Sequence, residues 1–586
     1  MISLTLLADL VVLLLVLVVT ALVLLGWGHL TWRLFAIEQP SRPTVLTAWL
    51  GFCIVVACLE VIHLFVPIEW KVTLAVSLIG LWGQGLRAIS PNTAGLKQLL
   101  VRTIKHYPLR SALAACVVVV WCLRAMETPT MFDSGFYHFG SIRWLNEYAI
   151  VPGLGNLHWR LALNQSIFGF LALLNIAPFW GKGYAAGGLF LLVLTAFTLL
   201  EIGMMQSRLW RWTFGGLLFS YLCLLSGQIA NPLPDTAMAL LQIAIFVFLY
   251  CNLTSVAQFG SADHLHVRRL QIVLTFLCLT IVTIKLSSIG FAAASFGVVV
   301  IWMFASVGHQ LPKTLALKVI ALLVLFTFVH VGRSYLLSGV PFFPNPFGGW
   351  WSLTWAVPIW VADNESQLIY AWAKQPGLAV ASDLPAGFGW FEAWFLAFPQ
   401  TLKYLLAVGT SLLLLAFVWR RLFVVGPVGK ELFLGIPLVS AFIFWFFTAP
   451  DPRFLGATIV LYFVWSSFVF GISVTGNVHL DVKNLNIGRA VGNSLVMLGM
   501  VLLFVRWSLF GVSVPFGWAH LPVPEREVQA NRSGYKAFVP STGAQCWDTE
   551  LPCAVMLDDG LRQLPLPNFM GWPGLQTHRF SLSIER

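Results

Sequence analysis

Four stretches of the chain put ionisable side chains at the ends of apolar runs, where a charge is costly and usually functional. The first is Met131-Phe132-Asp133-Ser134-Gly135-Phe136-Tyr137-His138. A carboxylate at Asp133 can deprotonate an acceptor hydroxyl or ligate a divalent metal. It can equally cap the helix that follows. The second, Asn231-Pro232-Leu233-Pro234-Asp235, offers another carboxylate or metal ligand, or again a plain N-cap. The third is Lys285-Leu286-Ser287-Ser288. A lone lysine there can neutralise a lipid-linked phosphate or simply extend to lipid headgroups. In the fourth, Pro450-Asp451-Pro452-Arg453-Phe454, Arg453 can grip a phosphate through two parallel N–H groups or pair locally with Asp451. Asp363 and Glu365, in a Trp-rich stretch, read as a solvated face. A base together with phosphate-holding cations is the equipment of group transfer.

The elements that must position these residues are set by composition. Of 586 residues, 58% are hydrophobic and only 10% charged, against roughly 25% in soluble domains. So few charges cannot cover a soluble protein of this size, so the chain reads as an all-α polytopic membrane protein. Disorder, a secreted disulfide scaffold and a large soluble enzyme are excluded. The net charge of +11 fits basic cytoplasmic loops. No basic run with interleaved aromatics points to nucleic acid. No GxxxxGK[ST], no HExxH and no GxGxxG between a strand and a helix is present, so nothing suggests nucleotide-driven chemistry. The 26 Trp and 46 Phe permit sugar stacking, but lipid-facing helices and interfacial belts account for most of them.

Apolar runs of spanning length occur near 4–26, 46–66, 71–87, 110–126, 184–204, 210–228, 235–254, 270–285, 287–306, 315–337, 399–419, 431–449, 454–474 and 490–513. That is about fourteen spans at ~20 residues each. Segment 87–110 carries Arg87, Lys97, Arg102, Lys105 and Arg110 without an acid and reads as cytoplasmic. The run 160–180 is apolar but broken by Asn164, Gln165, Asn175 and Pro178. If it does not cross, the loops 205–212, 255–269, 307–318, 420–430 and 475–489 all fall inside with their basic residues. It is therefore expected to be an interfacial or re-entrant segment on the outer face. The chain then divides into helices at 1–126, an outer loop 127–183, helices at 184–338, an outer Trp/Pro/Gly-rich loop 339–398, helices at 399–514 and a small outer C-terminal domain 515–586. An amphipathic helix is expected over 137–149. Seven cysteines lie in apolar stretches. Cys546 and Cys553 sit in the polar outer tail at a spacing that suits a local disulfide.

The runs Phe132 to His138, Ile142-Arg143-Trp144 and Val151 to His158 resemble a bacterial family of multipass hypothetical membrane proteins. Pro232 to Asp235, Lys285 to Ser287, Trp355 to Pro358, Ala371-Trp372-Ala373, Pro450 to Phe454, Cys546-Trp547 and Pro552-Cys553 extend that resemblance over most of the chain from about 100 onward. The architecture resembles GT-C glycosyltransferases, which use polyprenyl-phosphate-linked sugars. The paired acidic motif usual there is absent, since Ser134 and Gly135 follow Asp133. The resemblance implies a bacterial inner-membrane enzyme with its active site outside, a lipid-linked sugar donor and membrane lipids as partners, and a possible divalent metal. Asp133 would be the general base and Asp235 an orienting carboxylate. Lys285 and Arg453 would hold phosphate, with His138 and Arg143 also touching substrate. The alternatives are a lipid-linked glycan polymerase or ligase, and a lipid or glycan flippase.

The charge distribution generates the first prediction. Cysteines introduced at 205–209 should react with a membrane-impermeant thiol reagent only from the cytoplasmic side; reaction from outside overturns the register.

Overall fold

The computed structural model of the chain describes residues 4–38, 44–88, 105–106, 108–199, 208–258, 264–305, 312–349, 353–378, 381–422, 429–475, 517–565 and 580–584. Helices occupy thirteen of the expected positions; the expected span 490–513 lies outside the described residues. Among the described residues eight helices are long and apolar enough to cross a membrane, and four more apolar helices are shorter, at 10–17 residues. The helix Trp70–Ala88 is less apolar, because Lys71, Gln84 and Arg87 interrupt it.

Burial sorts the long helices. An apolar stretch of Pro234–Gln258 is buried on all sides and forms the central pillar. By contrast, Lys313–Ser338 and Gln400–Leu422 leave most of their apolar side chains uncovered, Leu317, Phe328, Leu414 and Phe417 among them. Each such side chain forgoes ~1.5–3 kcal/mol of burial in water. A helix that is apolar all round needs protein or lipid around it.

The run 160–180 forms only a nine-residue helix, Ile167–Asn175, ending at Ile176 in a left-handed conformation. At 1.5 Å per residue that is roughly 14 Å, under half of a hydrocarbon core. Asn164 and Asn175, which break the run, are tied inward, Asn175 to Asn146 and to Gly183 N. Asn164 Nδ2 donates to His330 O at 2.8 Å, and Arg333 Nε donates to Asn164 Oδ1 at 3.3 Å. Arg333 Nη1 also donates to His63 Nδ1 at 2.9 Å, and His330 Nδ1 lies 2.7 Å from a Glu60 carboxylate oxygen. Buried charges persist only in such partnered sets. Two residues on, Ser166 N donates to Thr283 O at 3.0 Å, which fixes the end of the helix that precedes Lys285.

The expected amphipathic helix begins differently. Ser134–His138 is a π-helical turn, followed by the α-helix Phe139–Glu147. Single π turns recur at functional sites. The helix does not lie free in an interface: Phe139, Ile142, Trp144, Leu145 and Asn146 are buried.

The chain is mostly helical, as expected of an all-α polytopic protein, and its tail adds short strands. Strands Arg526–Ala530 and Lys536–Pro540 pair antiparallel, as do Leu561–Pro565 and Phe580–Ile584. Cys546 and Cys553 are joined by a disulfide. The tail docks on the sequence motifs of the loop 127–183. Trp547 N donates to Gly135 O at 2.8 Å, and Gln545 Nε2 to Phe132 O at 2.8 Å. Leu582 N donates to Pro152 O at 2.9 Å, while Asn156 Nδ2 reaches Leu582 O at 3.0 Å and Trp355 O at 2.9 Å. The Trp547 indole lies so close that a Cβ on Gly135 would be 2.5 Å from it.

Gly135→Ala should therefore push Trp547 off, at the ~1–3 kcal/mol typical of overpacking. The expected outcome in purified protein is a lower unfolding temperature and faster proteolysis within 517–565. Unchanged proteolysis would show that this contact does not clamp the tail.

Candidate functional site

The central helix Pro234–Gln258 supplies one wall of the site. Pro234 occupies its first turn, where a missing N–H costs nothing. Asp235 therefore lies inside the helix and is not its N-cap. Its carboxylate forms an ion pair with Lys285 Nζ. Met238 and Gln242 lie about one and two turns further along the same face. Ser287 Oγ reaches Met238 Sδ at 3.5 Å, and Gln242 Oε1 accepts the N–H of Ala457 at 2.6 Å. One helix face thus holds both the lysine segment and the arginine turn.

The arginine turn, Pro452–Leu455, is capped by Asp451, whose Oδ1 accepts the N–H of Arg453 at 2.8 Å. It ends at Gly456, with φ +57°, where a Cβ would lie 2.4 Å from Gln242 Oε1. Two buried indoles hold the backbone from behind. Trp394 Nε1 donates to Pro450 O at 2.8 Å, and Trp445 Nε1 to Asp451 O at 2.7 Å. Trp394 comes from the Trp-rich loop 339–398, which gives that loop a structural task.

Asp133 is fixed from the other side. Asn231 Oδ1 accepts the N–H groups of Thr130 at 2.9 Å and Met131 at 3.0 Å, and the Ser134 hydroxyl at 3.2 Å. The Asp133 carboxylate makes no cap bond to the turn that follows. It lies 3.5 Å from Arg453 Nη1 instead, while Arg453 Nη2 is 3.1 Å from Asp451 Oδ2. The local Asp451–Arg453 pair and the long-range Asp133 contact coexist. The Phe454 ring lies 4.4 Å from Lys285 Nζ and 5.8 Å from the Arg453 guanidinium carbon, so both cations meet one aromatic ring. Asp133, Asp235, Lys285 and Arg453 form one cluster.

His138 and Arg143 stand apart. His138 is 1% exposed and packs against the Tyr137 and Phe168 rings. Burial, with Lys285 and Arg160 adding to it, pushes its imidazole well below the usual range, so it is a neutral group behind the site. Arg143 donates to Glu147 Oε1 at 2.6 Å and to Asp548 O at 2.7 Å, which ties it to the tail. Glu365 corrects the reading of a solvated face. It is 3% exposed because the helix Ile359–Lys374 lays its Ala362 and Glu365 side inward. Arg160 Nε lies 2.8 Å from Glu365 Oε1, an ion pair off hydrogen-bond alignment, with the guanidinium 6.0 Å from the Tyr137 ring centre. Arg160, Glu365 and Asp451 are therefore further charged neighbours of the cluster. Only Asp451 stood out by spacing.

Among the described residues no group of three or more His, Cys, Asp or Glu side chains could hold a metal ion. Asp133 and Asp235 each face a cation, a donor set that does not fit a resident divalent metal.

A family model described as "Domain of unknown function (DUF8201)" matches residues 10–460, a range that contains all four clustered residues and ends before the tail. No curated protein and no solved structure matches the chain.

Glu365 generates a pH prediction. Burial raises its carboxyl above the ordinary range, with Arg160 opposing. A raised folded-state value means stability that is present below ~4.3, the ordinary pKa, and lost as pH rises through the raised value. Relative to Glu365→Gln, the wild-type unfolding temperature should therefore fall over that window and level off above it. A constant difference from pH 4 to 8 would contradict the assignment.

Proposed function

The chain belongs to the DUF8201 family, a description that assigns no chemistry, so from the charge cluster itself we propose a membrane glycosyltransferase of GT-C type. It moves a sugar from a polyprenyl-phosphate donor to a glycan, lipid or protein acceptor at the outer face of a bacterial inner membrane. The observation that carries the reading is Asp133 facing Arg453, with Lys285 against the same Phe454 ring as the guanidinium.

Every cation of the cluster has a carboxylate partner. The two contacts of Arg453 differ. Asp451 also holds the turn and approaches to 3.1 Å, whereas Asp133 is 3.5 Å away on a side chain that is 31% exposed. Such a half-exposed pair is worth only about 0–1 kcal/mol. A donor phosphate, with more charge and paired oxygens, displaces Asp133 from Arg453. Asp235 keeps Lys285 pointed at the same place. The freed Asp133 then takes the proton of an acceptor hydroxyl. The acceptor oxygen bonds to the sugar C1 as the C1–O bond to phosphate breaks. The leaving lipid phosphate carries away the negative charge, which Arg453 and Lys285 stabilise as it develops. No nucleotide and no metal enters a step.

A lipid-linked glycan polymerase or ligase would use the same groups and differ in the acceptor. A flippase would not need a base beside the phosphate site.

Two variants test the roles with a radiolabelled polyprenyl-phosphate sugar. Asp133→Asn keeps the shape and should lower transfer by roughly 10²–10⁴-fold, the usual worth of a positioned base, with donor binding nearly unchanged. Arg453→Ala should weaken donor binding itself. Full transfer activity in Asp133→Asn would falsify the base assignment.

A further inference from the structure

A cavity of 410 Å³ lies along the Arg143 face of the helix Phe139–Glu147, and none of the four clustered residues lines it. That helix forms one wall, residues 175–184 a second, and Asp548 of the disulfide loop closes the third. The volume is within the ~300–1,000 Å³ of ligand pockets.

The walls specify a chemistry. Their three carboxylates, Glu69, Glu147 and Asp548, are met by three cations, Lys71, Arg143 and Lys182, the last acting on Asp548 beside Arg143. Arg143 Nε is 2.6 Å from Glu147 Oε1, Arg143 Nη1 is 3.6 Å from Asp548 Oδ1, and Glu69 Oε1 is 2.7 Å from Lys71 Nζ. An ionic ligand would have to break one of these pairs, so a neutral one is favoured. Hydrogen-bonding capacity remains. Tyr184 lines the cavity at 2% exposure, and its hydroxyl has no hydrogen-bond partner among the described residues. A buried hydroxyl left unmade is costly, and a ligand hydroxyl would satisfy it. The carboxylates of Glu147 and Asp548 accept from hydroxyls, while Arg143 donates. Phe139, Ile142 and Pro178 add apolar wall between these polar groups. A ring with hydroxyls around its edge and a less polar face meets each of these demands.

We infer that this cavity binds a neutral saccharide, one or two sugar units of a glycan, against Tyr184, Arg143 and Asp548. Its connection to the charge cluster runs through the tail. Gln545 and Trp547 hold the Phe132 and Gly135 carbonyls beside Asp133, and the next residue, Asp548, faces the cavity. That the glycan is the transfer acceptor rests on the proposed function; the binding does not.

The test uses full-length purified protein and an array of neutral oligosaccharides built from glucose, galactose, mannose and N-acetylglucosamine, followed by titration of the best ligand. At least one should bind. Tyr184→Phe and Asp548→Asn should each weaken it about tenfold, as loss of a hydrogen bond in a buried site does, with unfolding temperatures reported alongside. Absence of binding to any neutral oligosaccharide overturns the inference, as does binding that Tyr184→Phe leaves unchanged in a folded variant. Binding of glucosamine or glycerophosphoethanolamine in place of neutral sugars would make this a cation or headgroup site and overturn it too. Saccharide binding together with an active Asp133→Asn variant would remove the transferase reading and leave the cavity standing.

Discussion

Arg453 is held by two carboxylates of different kinds, and the arrangement of the site follows from that. Asp451 is local, caps the turn that presents the guanidinium, and is itself fixed through its carbonyl by Trp445. Asp133 arrives from a segment more than three hundred residues away and touches the exposed edge of the same group. A charge at the end of an apolar bundle must be paired, and pairing within one loop would have left the segments independent. Sharing one cation between a turn and a distant loop brings together the end of the helix Pro108–Ala125, the central pillar and the start of Thr458–Thr475. The Asp235–Lys285 pair adds the end of the helix His264–Ile284 in the same way.

The local half of this was legible in the sequence. Pro before Asp235, Asp before Pro452 and the glycine after Leu455 are turn and cap signals that need only spacing to read. The helix positions were legible from apolar length. What was not legible is which carboxylate meets which cation, because ion pairs across hundreds of residues leave no periodic trace. Glu365 shows the limit. Its neighbours Asp363 and Gln367 are exposed and bond each other, so the stretch looks solvated, yet one turn of the same helix puts Glu365 against Arg160. The Glu60–His330–Arg333 network was missed for the same reason. Glu60 lies in one apolar run and His330 and Arg333 in another, and only their meeting near Asn164 explains why 160–166 turns inward.

The tail was legible as polar and as a cysteine pair, but not as β structure. Its strands are five residues each, too short and too mixed in character to stand out beside long apolar helices. Nor did sequence indicate where it docks. The Val151 to His158 motif is chemically quiet, yet Pro152 and Asn156 anchor strand Phe580–Ile584 while Asn156 also holds Trp355. This motif joins three distant parts of the chain by one backbone hydrogen bond and two from the Asn156 amide, so its spacing answers to geometry rather than to catalysis.

That docking has a mechanical consequence. Residues 545–548 touch the Asp133 segment at one end and the saccharide-sized cavity at the other, and the disulfide to Cys553 shortens the loop between them. A loop closed after so few residues has little freedom to yield at one contact while keeping the other. Trp547 is held at φ +49° with its indole against Gly135. Occupancy of the cavity that pulls on Asp548 must therefore be felt at Gly135, and Gly135 lies two residues from Asp133 in a π turn whose geometry departs from the α-helix that follows it. The part of the cluster tied to the tail is thus the Asp133 segment, whereas the turn that carries Arg453 is braced by Trp394, Trp445 and Gln242.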